Sequence, residues 1–196
     1  MSDKGLLVVF SGPSGAGKDT ILKEFFSRRP NARLSISATT RQPRPGEKDG
    51  EDYFFLTKEK FESIAGQGGM LEYAQYCGNW LAEGKDVILE IEVQGGRQIR
   101  EKCPDCVSIF MLPPSLEVLE KRLRGRHTDG EEVIKKRLKA ACGEIMQAEN
   151  YDYVIVNDTI AGAVEQINLI IAAEKLRFSR ARSIIERMLN HAETIC

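Results

Sequence analysis

The chain has 196 residues, enough for one domain with a buried core and small insertions. Its 28 basic and 29 acidic side chains leave a formal net charge of −1, so overall charge gives no reason to expect a nucleic-acid or membrane partner. No apolar run approaches the roughly 20 residues that a membrane-spanning helix needs.

The cysteines argue against a disulfide framework. There are five at irregular spacing, and free thiols are typical of a reducing cytoplasm. Cys103 and Cys106 form a CxxC with no second pair and no nearby histidine, so we interpret the segment as a loop between a helix and a strand rather than a zinc site. No signal-peptide pattern precedes the first strand, and we therefore expect a cytoplasmic protein.

The first predicted elements form half of a βαβ unit. Residues 6–10 are a continuous apolar run, which predicts a buried parallel strand. A glycine-rich turn follows over residues 11–17, and apolar spacing predicts a helix over residues 20–29. Residues 35–56 then predict an extended segment, an ordered polar loop and a second strand.

The remaining elements alternate between helices and strands. Thr57 can cap a short helix, and residues 70–76 predict a strand. Ser115 is expected to cap a helix with Leu116, Leu119 and Leu123 on one face, and a capping-box variant at Asp129 is expected to open the next helix. Further strands are predicted at 87–93, 107–112 and 154–156, and one long terminal helix from residue 161. This alternation predicts an α/β fold with a parallel sheet covered on both faces.

The turn after the first strand matches the GxxxxGK pattern of a P-loop. Glycines allow successive backbone N–H groups to face a phosphate, and the following helix N-terminus adds positive potential. Lys18 can bridge the β- and γ-phosphates of ATP. The predicted ATP-binding residues here are Gly12, Pro13, Ser14, Gly15, Ala16, Gly17, Lys18, Asp19 and Thr20.

One position departs from the usual P-loop pattern. A serine or threonine normally follows the lysine and contacts magnesium, but this chain has Asp19 and then Thr20. Because Mg²⁺ retains water ligands readily, Asp19 or Thr20 could act through a water shell, and the direct ligand stays open.

Residues 37–53 (SATTRQPRPGEKDGEDY) resemble the signature of guanylate kinases. The similarity runs from about Gly5 to Lys175, with shorter matches that include 78–79, 90–95 and 122–126. This resemblance implies a P-loop NTPase three-layer fold with a small GMP-binding insertion and a helical lid. It also implies ATP carried with Mg²⁺ as the donor, and GMP or dGMP as the acceptor.

The acceptor site is predicted from both chemistry and resemblance. Arg41 and Arg44 lie on a loop stiffened by proline, and guanidinium groups bind phosphate oxygens in a bidentate manner. A carboxylate at Glu72 could accept both N1–H and N2–H₂ of guanine, and adenine could not satisfy it. By resemblance, the GMP-binding residues are Ser37, Arg41, Arg44, Tyr53, Glu72 and Glu92.

Glu90 is predicted to lie on the same side of the strand over 87–93 as Glu92. We expect it near the magnesium or the donor loop. The possible metal contacts are therefore Asp19, Thr20 and Glu90.

The predicted lid carries arginines. Arg122 and Arg126 lie four residues apart on one helical face, and Arg137 follows in the next helix. By resemblance, they close over ATP and stabilise charge on the transferring phosphoryl group, while Asn157 lies near adenine. The candidate catalytic residues are Lys18, Arg41, Arg122, Arg126 and Arg137.

These assignments divide a single domain into segments. Residues 1–34 form the core with the P-loop, 35–82 the GMP-binding insertion, 83–120 more of the core, 121–144 the lid, and 145–196 the core and C-terminal helix. Residues past 175 extend beyond the family's usual end and receive no function, and the sequence leaves a homodimer open.

The resemblance breaks after Asn79. The family continues through a Tyr-Gly-Thr or Tyr-Gly-Ser stretch and a helix, whereas this chain passes directly to Trp80. The absent segment would supply an aromatic ring and a hydroxyl to the guanine pocket. It is either lost from the sequence as given or truly deleted. We favour loss, because residues 80–85 are interpreted as the end of the expected helix.

Two other functions stay open at this point. Ribose-bisphosphate kinases resemble guanylate kinases and can carry Gly-Lys-Asp in the P-loop, but they do not need Glu72 with the signature over 37–53. A degenerate guanylate-kinase-like interaction module would lose donor-site residues, whereas Lys18 is present here.

Overall fold

The computed structural model describes residues 4–43, 46–50, 53–66, 79–125 and 130–192. The strands of these segments are β1 Leu7–Ser11, β2 Ala32–Leu34, β3 Ser37–Thr39, β4 Tyr53–Phe55, β5 Asp86–Glu90, β6 Val107–Leu112 and β7 Tyr153–Val156. The helices are α1 Lys18–Arg28, α2 Lys58–Gly66, α3 Val93–Lys102, α4 Leu116–Arg124, α5 Glu131–Met146, α6 Ile160–Lys175 and α7 Phe178–Ala192.

The main sheet is parallel and has the strand order β2-β5-β1-β6-β7. Its central strand, β1, pairs with β5 on one side and with β6 on the other. The loop after β1 therefore leaves the sheet between the carboxyl ends of two neighbouring strands, which is where open α/β sheets bind ligands. A separate two-stranded sheet joins β3 to β4 and pairs Ser37 with Tyr53.

Both faces of the main sheet are covered. On one face, Phe10, Ile109 and Ile155 pack with residues of α1 and α6, among them Phe25 and Ile167. On the other face, Val9, Phe110 and Tyr151 pack against α3. This arrangement confirms the predicted α/β fold with a covered parallel sheet. No helix among the described segments has the length and apolar character needed to cross a membrane.

The strand predicted over 87–93 is shorter than expected. It ends at Glu90, and Val93 already belongs to α3, so the prediction that Glu92 lies on the strand beside Glu90 is wrong. The pairing of β5 with β1 stops at Phe10, after which β1 turns into the P-loop. Gly96 lets α3 pack closely over this turn, since a Cβ there would lie 3.2 Å from Val9 Cγ1.

Three helix predictions also need correction. The single terminal helix is in fact α6 and α7, with Leu176 closing α6 through a bond from its N–H to the carbonyl of Ala173. Gly130 rather than Asp129 is the N-cap of α5, with no side-chain cap. In α4, Ser115 caps the helix as predicted, but Leu116 is 45% exposed.

The predicted helix end before β5 is confirmed. Residues 79–82 are helical, and Gly84 ends the turn in the left-handed region with φ 78°. Thr57 contributes the predicted cap of α2, since its hydroxyl accepts a hydrogen bond from the N–H of Lys60 at 3.3 Å. The strand predicted at 70–76 lies outside the described residues, and β2 was not predicted from the sequence.

Candidate active site

The loop between β1 and α1 has the conformation that its glycines allow. Gly15 and Gly17 have φ values of 90° and 96°, in the left-handed region. Both are also closely packed, because a Cβ would lie 2.8 Å from Leu123 Cδ2 at Gly15 and 2.7 Å from Asn157 Nδ2 at Gly17. Backbone and space therefore both require glycine at these two positions of the predicted phosphate loop.

Lys18, the first residue of α1, folds back over this loop. Its Nζ donates a hydrogen bond to the carbonyl of Gly12 at 2.8 Å, with a longer contact of 3.5 Å to that of Pro13. The ammonium group is thus held above backbone that leads into a helix N-terminus. The ammonium group and the N-terminus of α1 concentrate positive charge at one point, which suits a polyphosphate.

Two predicted residues fix the loop from behind. The buried Asn157 donates a hydrogen bond from Nδ2 to the carbonyl of Ala16 at 2.7 Å. Arg122 donates to the same carbonyl at 2.9 Å and to the carbonyl of Asn157 at 3.2 Å. Arg122 therefore ties α4 to the phosphate loop and to the segment after β7.

A pair of carboxyl groups lies beside the loop. Glu90 ends β5, and its carboxyl group interacts with that of Asp19 of α1. Burial raises the pKa of Glu90 to about 7, the Asp19 charge and hydrogen bond add to that rise, and Lys18 opposes it. Two oxygen-rich side chains that adjoin the lysine are the kind of donor set that Mg²⁺ prefers.

Glu90 should make the stability of the protein depend on pH. The pKa of Glu90 in the folded protein, about 7, lies above the ordinary value of 4.5. The contribution of Glu90 to the free energy of unfolding is therefore fully present below pH 4.5 and is lost as the pH rises through 7. We expect the Glu90→Gln variant to lose this pH dependence, which amounts to about 3 kcal/mol in the free energy of unfolding. Urea unfolding at pH 5 and pH 8 in chelator measures it. Exposed Glu149→Gln is the control, and an unchanged pH dependence in Glu90→Gln contradicts the assignment.

The second group of predicted residues lies on the small sheet and its loop. Arg41 is held by Glu47 in a bidentate ion pair, NH1 to Oε2 and NH2 to Oε1 at 2.6 Å each. The Arg41 guanidinium also lies over the rings of Tyr53 and Phe55, 4.9 and 5.5 Å from their centroids. These contacts fix the plane of a group suited to binding phosphate.

The two groups adjoin. Burial raises the pKa of Tyr53, the carboxylates of Glu90 and Asp19 raise it further, and Arg41 opposes the rise. Tyr53 thus lies within electrostatic reach of the carboxyl pair beside Lys18 and also contacts Arg41. Tyr53 thus connects Arg41, a predicted phosphate-binding residue, to the carboxyl pair beside the predicted phosphate loop, and transfer between two phosphates requires two such sites near each other.

The other predicted residues have the following positions. Glu92 is exposed at the N-cap of α3 and, with Glu144 of α5, lines a cleft of about 470 Å³. Arg137 is partly buried on α5, Thr20 is exposed on α1, and Ser37 is placed by its backbone in β3. Arg44, Glu72 and Arg126 lie outside the described residues.

Sequence reasoning missed two residues of this site. Glu47 stands within the signature but received no role, and Glu144 belongs to no motif. Glu144 Oε2 accepts a hydrogen bond from the N–H of Ser14 at 3.3 Å. Its one sequence signal is the seven-residue spacing from Arg137, which puts both on one face of α5.

Comparisons with known proteins agree on one family. A family model described as Guanylate kinase matches residues 4–174. The chain is 48% identical over 206 positions to a guanylate kinase of Lactococcus lactis subsp. lactis, covering 100% of this chain and 99% of the relative. It is 49% identical over 193 residues to a guanylate kinase of Clostridioides difficile, covering 93% of this chain and 94% of the relative.

Solved structures give the same picture. A crystal structure of guanylate kinase from Anaplasma phagocytophilum matches with a TM-score of 0.71 and 31% identity, covering 94% of this chain and 95% of that one. A shikimate kinase from Bacteroides thetaiotaomicron matches with a TM-score of 0.51 at 18% identity, covering 85% of this chain and 98% of that one, a likeness of fold alone.

The alignment with the Lactococcus relative also bears on chain length. It spans 206 positions against the 196 residues of this chain, so at least ten positions of the alignment have no counterpart here. This number is close to the length of the segment expected after Asn79, and whether that segment is lost from the sequence as given or truly deleted stays a prediction. The family model ends at residue 174, as predicted, while the alignment with the Lactococcus relative covers 100% of this chain and so also includes residues 176–196.

Proposed function

The chain belongs to the guanylate kinase family, and we propose that it transfers the terminal phosphate of ATP to GMP, giving ADP and GDP. It is an ATP-dependent nucleoside monophosphate kinase, and the observation that best supports the reaction is the position of Tyr53, which contacts Arg41 and lies within electrostatic reach of Asp19 and Glu90. The fixed arginine would bind the acceptor phosphate while the loop binds the donor. Phosphoryl transfer depends mainly on such positioning and on neutralising charge.

Specific roles follow from the contacts. Lys18 and the loop residues Gly12 to Thr20 bind the ATP phosphates, and Asn157 and Arg122 hold the loop in shape. We place the acceptor insertion at 35–82 and the lid at 121–144. Arg122, Arg126 and Arg137 of the lid would stabilise charge on the transferring group, and Asn157 would lie near adenine.

The acceptor side has a matching division of roles. Arg41, Arg44 and Tyr53 bind the GMP phosphate with Ser37 nearby, while Glu72 reads guanine and Glu92 supports the pocket. The acceptor is already a phosphate anion, so the chain needs no general base to activate it. The predicted cytoplasmic location and the choice between GMP and dGMP stay predictions.

We propose Mg²⁺ as the metal, because the adjoining carboxyl groups of Asp19 and Glu90 supply the hard oxygen ligands it prefers. Thr20, on the same helix turn, is the third predicted contact. When bound, the ion would neutralise part of the charge on the ATP phosphates.

The alternatives are disfavoured by the same residues. A degenerate interaction module would not need Lys18 seated on the phosphate loop with Arg122 and Asn157 behind it. A ribose-bisphosphate kinase would not need the phosphate-binding signature together with Glu72. Neither alternative explains similarity to guanylate kinases along the whole chain.

The deciding assay is GMP-dependent ADP production from Mg·ATP. AMP, UMP and ribose 1,5-bisphosphate serve as parallel acceptors. We expect turnover with GMP alone, which would also mean that the segment expected after Asn79 is dispensable or is present in the natural protein. No turnover with GMP by a protein that still binds ATP would overturn the proposal.

A further inference from the structure

One carboxylate lies where a phosphate is expected. The last turn of α5 brings Glu144 to the phosphate loop, where its Oε2 accepts a hydrogen bond from the N–H of Ser14 at 3.3 Å. The two residues are 130 positions apart in the chain, so this contact is a feature of the tertiary fold. Backbone N–H groups of a P-loop are the groups that cradle phosphate oxygens.

The surroundings of Glu144 make its charge consequential. Burial raises the pKa of its carboxyl group and Glu92 adds to the rise, while the Ser14 hydrogen bond and Lys18 oppose it. Glu144 thus lies within electrostatic reach of the same Lys18 ammonium that serves the donor phosphates. A carboxylate and a phosphate that share one amide and one cation repel each other.

We propose that Glu144 determines donor specificity by occupying the Ser14 amide until a polyphosphate displaces it. The inference rests on the proposed function, since it assigns the loop to the ATP donor. A monophosphate that enters the loop is repelled by the Glu144 carboxylate and gains few contacts that offset this repulsion. A triphosphate gains contacts along the whole loop and with Lys18, so it can displace the carboxylate.

This arrangement would keep the acceptor phosphate from binding at the donor site. The enzyme must admit two phosphate compounds to adjoining sites, and the general attraction of a P-loop for phosphate does not separate them. The charge of Glu144 repels both ligands, but only the triphosphate has enough other contacts to displace it. This produces a difference in affinity between the triphosphate and the monophosphate. Glu144 is therefore a specificity-determining residue rather than a group that touches the reacting atoms.

The test is direct binding without acceptor turnover. Calorimetry measures the dissociation constants of ATP, sodium tripolyphosphate and inorganic phosphate for the unmodified chain and for Glu144→Gln, which keeps the side-chain shape and removes the charge. We expect Glu144→Gln to bind tripolyphosphate about tenfold more tightly. Inorganic phosphate should gain more than ATP, because it has fewer contacts to offset the repulsion, while adenosine affinity, measured in the same way, stays unchanged.

Two further variants complete the design. Glu149→Gln makes the same charge change at an exposed position just beyond α5 and should leave all four affinities unchanged. Glu144→Asp keeps the charge but shortens the side chain, so it should tighten tripolyphosphate binding less than Glu144→Gln. It also supplies a second variant if the glutamine protein proves poorly folded by circular dichroism.

The outcomes separate the two proposals. If the unmodified chain binds ATP but Glu144→Gln binds tripolyphosphate equally or more weakly, Glu144 merely supports the loop and the inference is wrong while the kinase assignment stands. If the unmodified chain binds neither ATP nor tripolyphosphate, both proposals are wrong. Tighter binding that the Glu149→Gln control reproduces would also overturn the inference, because it would reflect overall charge.

Discussion

Replacing Lys18 with methionine is expected to lower kcat by about a thousandfold while the protein stays folded. The Lys18 Nζ is held over the carbonyls of Gly12 and Pro13, beside the amides of the phosphate loop. Methionine retains the length and apolar stem of lysine but cannot stabilise charge on a departing phosphate. Initial rates of ADP formation at saturating ATP and GMP measure the loss.

The control for this variant lies on the same helix. Lys23 is exposed on α1, and Lys23→Met makes the same change away from the loop. It should keep kcat within about twofold, since surface substitutions rarely perturb a site. A Lys18→Met enzyme that retains more than a tenth of the original kcat, with its fold verified by circular dichroism, would mean that another cation serves the transferring phosphate.

The donor loop could be predicted from sequence because its determinants are local. Glycine spacing fixes the turn, an apolar run fixes the strand before it, and Lys18 follows at the helix start. The structure shows the same strand, turn and helix. The end of β5 was mispredicted for the opposite reason: residues 87–93 are locally strand-like, but pairing depends on where β1 turns away.

Contacts between distant segments could not be predicted. Glu144 meets Ser14 across 130 positions, and no local pattern marks a carboxylate on α5 as a partner of the loop. The break between α6 and α7 has a similar origin. Glu174 is buried and accepts a hydrogen bond from the distant Tyr153, and it also pairs locally with Arg177 and Arg180. These contacts accompany a break at which the sequence has no glycine or proline.

Arg41 shows what a sequence motif can and cannot predict about a site. The signature predicted that Arg41 binds phosphate, and chemistry explained why arginine is preferred to lysine for this role. It did not show that Glu47 would take both terminal nitrogens, or that the Tyr53 and Phe55 rings would flank the guanidinium plane. These partners turn a flexible side chain into a fixed group, which lowers the entropy lost when phosphate binds.

Substituting Arg41 with lysine tests this pre-organisation. We expect Arg41→Lys to raise the KM for GMP by about 30-fold or more, with the KM for ATP little changed. A lysine ammonium keeps the charge but cannot bind both oxygens of Glu47 or lie flat over two rings. Steady-state kinetics with each substrate varied in turn measure the effect.

The matched control is another arginine in an ion pair. Arg28 pairs with Glu24 through Nε and NH2 on the surface of α1, and Arg28→Lys should leave both KM values unchanged. The split between KM and kcat then decides the role of Arg41. A rise in the KM for GMP alone assigns it to acceptor binding, whereas an equal fall in kcat and kcat/KM assigns it to the transition state. Unchanged constants for Arg41→Lys would mean that the pair with Glu47 is structural and that the acceptor phosphate binds elsewhere.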